Sequence, residues 1–198
     1  MDKRKVRDYL RLTGALLFSW IYILHLCRYI SMNNKDVIVA DVNRMSEQVN
    51  IHIRGVVALL YFLHNDAYFR SLFYYRIGAM ASFLISWYRP GDKYFVISKT
   101  LKMKGGVLLA HPYATILNAE FIGGNFSCRN CTTVGAKSNG RPRIGNNVTL
   151  GANVVIIGDI CIGNNVIVGA GSVVVKDVPD NCIVAGNPAK IIKYIIND

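Results

Sequence analysis

Hydrophobic positions divide the chain into two halves with different periods. From Ile144 to Val174 an aliphatic residue returns at Ile144, Leu150, Ile156, Ile162, Val168 and Val174, always six apart, and Gly follows at Gly145, Gly151, Gly163 and Gly169. Upstream, Ile97, Met103 and Leu109 keep the same step. One extra residue carries the count to Ile116, and Ile122, Cys128 and Val134 continue it. A jump of ten then reaches Ile144, with the surplus inside the polar run GAKSNGRPR, Gly135 to Arg143, which suits a protruding loop. Two places before each aliphatic residue stands a second apolar or small one: Val148, Val154, Ile160, Val166 and Ser172.

A period of six is neither helical nor a simple alternation along long strands. It fits a solenoid in which each hexapeptide is a short strand and a corner. Three hexapeptides close a triangular coil, coils stack at about 4.8 Å, and the recurring aliphatic residue fills the axis. Gly-Asn-Asn at 145–147 and 163–165 supplies corner residues that tolerate left-handed backbone angles.

Before residue 95 the pattern is helical. Val56 to Tyr88 mixes aromatic and aliphatic residues without alternation, and several helices are expected across 3–88. Asn65-Asp66 is a candidate cap, and Arg89-Pro90-Gly91-Asp92 ends the half. The organisation expected is a helical domain over 1–95 and a repeat domain over 96–198 with a short tail. Leu12 to Cys27 is almost wholly apolar and follows the basic stretch MDKRKVRDYLR. Sixteen residues fall short of the roughly 20 a membrane span needs, and no small-residue cleavage site follows. A packed helix, an interfacial anchor and a span or signal segment remain as readings, in that order.

Charge narrows the partners. The 198 residues hold 23 Lys+Arg against 12 Asp+Glu, a net charge of +11, which favours phosphorylated ligands or an acidic membrane surface. No nucleic-acid-binding motif accompanies it. The five cysteines are an odd number, and Cys128-x-x-Cys131 is a lone pair without the second pair a zinc site usually wants. Cys128 falls on an inward repeat position and reads as a small hydrophobe. A reducing compartment, the cytoplasm or the inner face of its membrane, fits this usage.

The repeat, HPYATILNA (His111–Ala119), the polar loop and VPDNCIVAGNPAKII (Val178–Ile192) together resemble the left-handed β-helix acyltransferases, in particular serine acetyltransferases and exopolysaccharide O-acetyltransferases. The resemblance covers about 95–192. It implies a mainly β protein, a left-handed parallel β-helix of hexapeptide repeats behind an N-terminal α-helical domain. It also implies a homotrimer that takes acetyl-CoA as substrate, with no permanent cofactor and no metal, in a groove between subunits.

By the same resemblance His111 is the general base. It is the only His in the repeat half, and an imidazole with an ordinary pKa near 6.5 can take the proton of an attacking hydroxyl. Gly151, Ala152, Gly169, Ala170 and Gly171 are the expected pantetheine-side positions, with Lys176 and Lys190 for the phosphates. Asn118, Glu120 and Arg141 are acceptor-side candidates. The serine enzymes carry an Asp before the His, a second His at the end of the loop and a carboxylate upstream. Here those places hold Ala110, Arg141 and the stretch KYFVISKT. An ammonium group without its carboxylate partner binds poorly. The expectation is therefore transfer of acetyl to a sugar hydroxyl in surface-polysaccharide biosynthesis, with serine O-acetylation as the alternative. A non-enzymatic β-helix comes third, since it needs neither the His nor the loop.

Overall fold

The structure, a computed structural model, describes residues 2–138 and 140–195; Asn139 of the polar loop and the last three positions assigned to the repeat half lie outside the described residues. Two compact units divide at Asp92/Lys93.

The first unit is helical: α1 (Lys3–Leu17), a 3-10 turn (Ser19–Tyr22), α2 (Ile23–Ile30), α3 (Asp36–Ser46), α4 (Gly55–Asn65), α5 (Ala67–Ile77) and α6 (Ala79–Ile85). Asp66 caps α5, its carboxylate accepting from the Tyr68 and Phe69 amides. The core gathers Leu59, Leu63, Phe69, Leu72 and Phe73. A bidentate pair, Arg76 with Asp41 at 2.9 and 3.3 Å, is buried beside α3 and α5. The apolar run 12–27 is not one helix. α1 stops at Leu17, and its successor departs at 67°. Only Ala15, Tyr22 and His25 of the run are buried, while Leu16, Leu17, Phe18, Trp20, Ile23 and Leu24 face outward. Among the described residues no single helix is long and apolar enough to cross a membrane.

The second unit winds five coils. The first is β1 (Phe95–Ile97), β2 (Lys102–Met103) and β3 (Leu108–Ala110). The second is β4 (Thr115–Leu117), β5 (Phe121–Ile122) and β6 (Ser127–Arg129), and the third β7 (Thr133–Gly135), β8 (Arg143–Ile144) and β9 (Thr149–Leu150). The fourth is β10 (Val155–Ile157), β11 (Cys161–Ile162) and β12 (Ile167–Val168). The fifth is β13 (Val173–Val174), a bridge at Val178, and β14 (Cys182–Gly186). Equivalent strands stack in parallel into three faces: face I from β1, β4, β7, β10 and β13, face II from β2, β5, β8 and β11, and face III from β3, β6, β9, β12 and β14. The coils therefore run past residue 178 to Val184. Beyond them β15 (Ala189–Tyr194) folds back antiparallel on β14, so the tail is a strand of face III.

The six inward aliphatic residues from Ile144 to Val174 are all buried, as are Val148, Val154, Ile160, Val166 and Ser172 behind them. Cys128 is buried too, and burial pushes its thiol up to about 12, so it packs as a neutral side chain. Among the described residues all five cysteines are free and no cluster could hold a metal.

Upstream the register differs from the sequence count. Leu117, not Ile116, stacks on Val134 and is buried, and Ile116 faces out beside Val96. In the first coil Phe95 is buried and Ile97 only partly. Eight residues separate Leu109 from Leu117 and five separate Leu117 from Ile122, so the net surplus of one is two inserted before β4 and one removed after it. Because neighbouring strand residues point to opposite sides, that one-residue difference turned the assignment inside out.

Candidate active site

Each edge of the prism has its own chemistry. The II–III edge is a ladder of amides: Asn125, Asn147, Asn165 and Asn181 all hold φ near +56°. Three side-chain hydrogen bonds of 2.7–3.0 Å link them in order, each Asn donating to the one in the next coil and Asn181 ending the ladder as an acceptor. Asn and Asp enter this conformation more readily than other residues with a Cβ.

The I–II edge is charged. Arg143 bridges Glu120 at 3.0 Å and Asp159 at 3.2 Å, and the Arg141 guanidinium donates to Thr100 Oγ1 at 2.6 Å. Lys176, after β13, belongs to this edge. So do two of the acceptor-side candidates, Glu120 and Arg141, and Asn118 follows β4 on the way to it.

The III–I edge carries His111. Here the chain makes its insertion: His111 (φ 55°) and Ala114 (φ 50°) both take left-handed angles, with buried Pro112 between them. Left-handed angles are strained for a residue that is neither Gly nor Asn, and such strain concentrates at functional positions. The Tyr113 amide donates to the His111 carbonyl at 2.8 Å, closing a three-residue turn. The His111 ring is exposed and, among the described residues, makes no hydrogen bond within the chain. Above it on the same edge come Asn130-Cys131, Ala152-Asn153 and Ala170-Gly171. At about 4.8 Å per coil, the last two pairs stand about 10 and 14 Å from His111. The structure thus lines up His111 with Ala152, Ala170 and Gly171 and separates it from Glu120, Arg141 and Lys176.

Not all the small residues are small for a ligand's sake. A Cβ on Gly151 would meet the Ala170 amide nitrogen at 2.6 Å, and one on Gly169 would lie 3.0 Å from Ala185 Cβ. Both admit the next coil. Gly171, with φ 70° and open space around it, has no such neighbour. Lys190 sits on β15, paired with Ala185 and exposed to solvent on face III.

Sequence reasoning passed over three residues here. Tyr94 and Tyr113 are both about half exposed, and their rings meet edge to face, 5.3 Å between centroids. Thr115 is fully buried beneath them. Its amide donates to the Tyr94 carbonyl at 3.1 Å, and its hydroxyl donates to the Tyr113 carbonyl at 3.3 Å. Both tyrosines stood in stretches already singled out, but only the pairing of Phe95 with Thr115 brings them together.

The class follows from this geometry: the second unit is a parallel hexapeptide-repeat β-solenoid, consistent with a left-handed β-helix. Residues 141–176 match the profile of the bacterial transferase hexapeptide, six repeats. Over 85 residues the chain is 49% identical to WcaB of Escherichia coli, whose name assigns it to colanic acid biosynthesis as an acetyltransferase; the match covers 41% of this chain and 52% of that one. Serine acetyltransferase 2 of Arabidopsis thaliana is 43% identical over 95 residues, 46% of this chain and 29% of the plant protein. The chain thus spans about half, or less, of the curated relatives it matches. Among solved structures, Neisseria gonorrhoeae serine acetyltransferase in complex with serine is similar with a TM-score of 0.68 at 26% identity, covering 98% of this chain and 84% of that one. Soybean serine acetyltransferase gives 0.66 at 26% identity, covering 86% and 74%.

Proposed function

We propose that this chain is an acetyl-CoA-dependent O-acetyltransferase that acylates a sugar hydroxyl in surface-polysaccharide biosynthesis. The observation that carries the reading is His111: exposed, held in a strained turn, and in line with the small corner residues of the later coils. The acetyltransferase name is shared by both groups of relatives.

In this reading the acceptor O–H gives its proton to His111 Nε2 or Nδ1 as its oxygen attacks the thioester carbonyl. Backbone N–H groups steady the tetrahedral oxyanion. Collapse expels the CoA sulfur, which takes the proton back from the imidazolium and leaves as the thiol, and the acetyl group stays on the acceptor oxygen as an ester. Lys190 and Lys176 serve the phosphates as point charges. One chain puts His111 on the III–I edge and Arg141 on the I–II edge. A groove holding both needs the I–II edge of another copy, which favours the homotrimer.

The helical unit supports a seat at the inner face of a membrane. Trp20, Ile23, Leu24 and Cys27 face outward at helical spacing, as do Met80, Phe83, Leu84 and Trp87. Arg28 of α2 donates to the Ile77 carbonyl ahead of α6, and Tyr88 after α6 donates to the Ile21 carbonyl of the 3-10 turn. Lys3, Arg4, Lys5, Arg7 and Arg11 are exposed on α1. Apolar aromatic residues beside a basic stretch complement an anionic bilayer, whereas a second copy would bring like charges together.

The serine alternative has on its side the identity to the Arabidopsis serine acetyltransferase and the structural likeness to the Neisseria enzyme holding serine. Against it, Ala110 precedes His111 where a carboxylate would meet the amino group. A thiol-release assay with acetyl-CoA against L-serine, free sugars and acidic oligosaccharides decides. Faster turnover of a sugar supports the proposal, and efficient serine turnover with sugars inert overturns it.

A further inference from the structure

We infer that Tyr94 and Tyr113 form a carbohydrate-stacking platform beside His111 and that Lys93 biases it toward an acidic pyranose. The inference rests on the acyltransferase reading of His111 and adds the substrate class at that site.

The turn closed by the Tyr113 amide on the His111 carbonyl keeps the two α-carbons within about 7 Å, the most that two extended residues span. Tyr113 and His111 therefore stand in the same turn of the III–I edge. The rings of Tyr94 and Tyr113 make a corner rather than a stack, with 61° between their planes. Lys93 Nζ stands 4.7 Å from the Tyr94 centroid, so a cation covers Tyr94 while Tyr113 stays half exposed. A pyranose suits this shape. One face of the ring is a row of C–H groups that packs on an aromatic face, and its hydroxyls stay at the rim, within reach of a base. A carboxylate on that ring would meet the Lys93 ammonium.

Thr115 occupies an inward position of β4, as Thr132 and Ser172 do in later coils of the same face, and it is fully buried. Its hydroxyl is shared between the Tyr113 and Arg129 carbonyls at 3.3 and 3.2 Å, and its amide holds the Tyr94 carbonyl. The Cys131 amide adds a bond to the Tyr113 carbonyl at 2.8 Å. Thr115 thus ties the backbone of both tyrosines, Tyr113 through its hydroxyl and Tyr94 through its amide. Position separates the platform from the donor. The small corner residues climb from His111 through coils three and four, whereas Tyr94 precedes the first coil. His111 lies between the two.

Saturation-transfer NMR on the intact chain tests this with methyl β-D-glucopyranoside, methyl β-D-glucopyranosiduronic acid, L-serine and CoA. The wild type should transfer saturation to the C–H protons of both sugars, more strongly to the acid, and not to serine. Tyr113→Ala and Tyr94→Ala should each weaken sugar binding about five- to tenfold, as for a lost aromatic contact. Tyr113→Phe should keep it, Lys93→Gln should remove only the preference for the acid, and none should alter CoA binding. Sugar signals unchanged by the Ala variants, loss of CoA signals in their place, or no sugar signal from the wild type each overturn the platform. The acyltransferase reading fails separately. Sugar bound at the tyrosines with no thiol released leaves the platform standing, and sugar acetylated with KM unchanged in Tyr113→Ala leaves only the enzyme.

Discussion

Asn147 donates its side-chain amide to Asn165 Oδ1 at 2.8 Å, and both residues hold left-handed backbone angles, φ 56° and 55°. One residue type answers two needs at each corner: it tolerates the turn and it satisfies the next coil. Asn165→Ala should lose both, at roughly 1–2 kcal/mol for the backbone and about 1 kcal/mol for each of its two ladder bonds. Asn165→Gly should lose the bonds alone. Urea unfolding followed at the β-sheet signal of the repeat unit should rank wild type, Gly, then Ala. Equal losses for Gly and Ala would assign the whole effect to hydrogen bonding.

The corners at Asn147 and Asn165, though not the bonds between them, were legible in the sequence because their cause is local: a tight corner favours Asn or Gly, and the axis needs an aliphatic side chain. The later coils obey this without interruption, and every inward residue from Ile144 onward was placed correctly. In the first two coils Met103, Leu109, Ile122 and Cys128 were placed inward as found, but Ile116 was not, because insertion and deletion around β4 nearly cancel and leave only their sum in the count. The register there depends on pairing between strands twenty residues apart, which spacing does not carry. His111 stood out by residue type and position. Tyr94, Tyr113 and Thr115 did not, since their association exists only once β1 and β4 pair. The outward face of α2 and α6 was hidden for a related reason. Composition marks a residue as apolar, but only packing decides which of Tyr22 and Trp20 is covered.

Burial of His25 gives the helical unit an acid limit. Its Nε2 lies 2.9 Å from Tyr74 Oη and its Nδ1 3.2 Å from Tyr88 Oη. Tyr74 donates onward to the Arg89 carbonyl and Tyr88 to the Ile21 carbonyl, so the single N–H of the neutral imidazole is shared between two hydroxyl oxygens. Burial, reinforced by Arg70 and Arg89, lowers its pKa from the ordinary 6.5 to about 4. The unfolded chain therefore binds a proton that the folded one refuses between these values, and stability falls as pH drops through that window. Above about 6.5 the contribution is complete and flat. His25→Gln, which keeps a donor and an acceptor, should show a shallower loss from pH 6.5 to 4 in thermal melts of the helical signal. Parallel slopes for the two proteins would refute this account of His25.

The outward apolar face predicts a lipid-dependent partition. The intact chain should sediment with vesicles containing an anionic lipid and much less with zwitterionic ones. Added salt should weaken the first interaction, because the basic residues of α1 are screened. Trp20→Ser combined with Trp87→Ser should move the chain to the supernatant without changing its helical content, since both side chains are exposed. If the wild type ignores vesicles and the double variant instead lowers the mass seen by light scattering, a second copy covers this face.

Two substitutions separate base from binder in one assay. His111→Ala should lower kcat by about 10²–10⁴, the usual range for a lost general base. It should leave acetyl-CoA affinity near the wild-type value, because the imidazole serves the acceptor hydroxyl and stands about 14 Å, three coils at the usual spacing, from Ala170 and Gly171. Lys190→Ala, on the exposed strand β15, should do the reverse, with weaker donor binding and a smaller effect on the chemical step. Thiol release at varied acetyl-CoA gives both constants for each protein. Wild-type kcat in His111→Ala on the true acceptor would reduce His111 to a residue that fits a strained turn. The exposed edge would then need another base, and the described residues of the repeat unit offer no second imidazole to supply it.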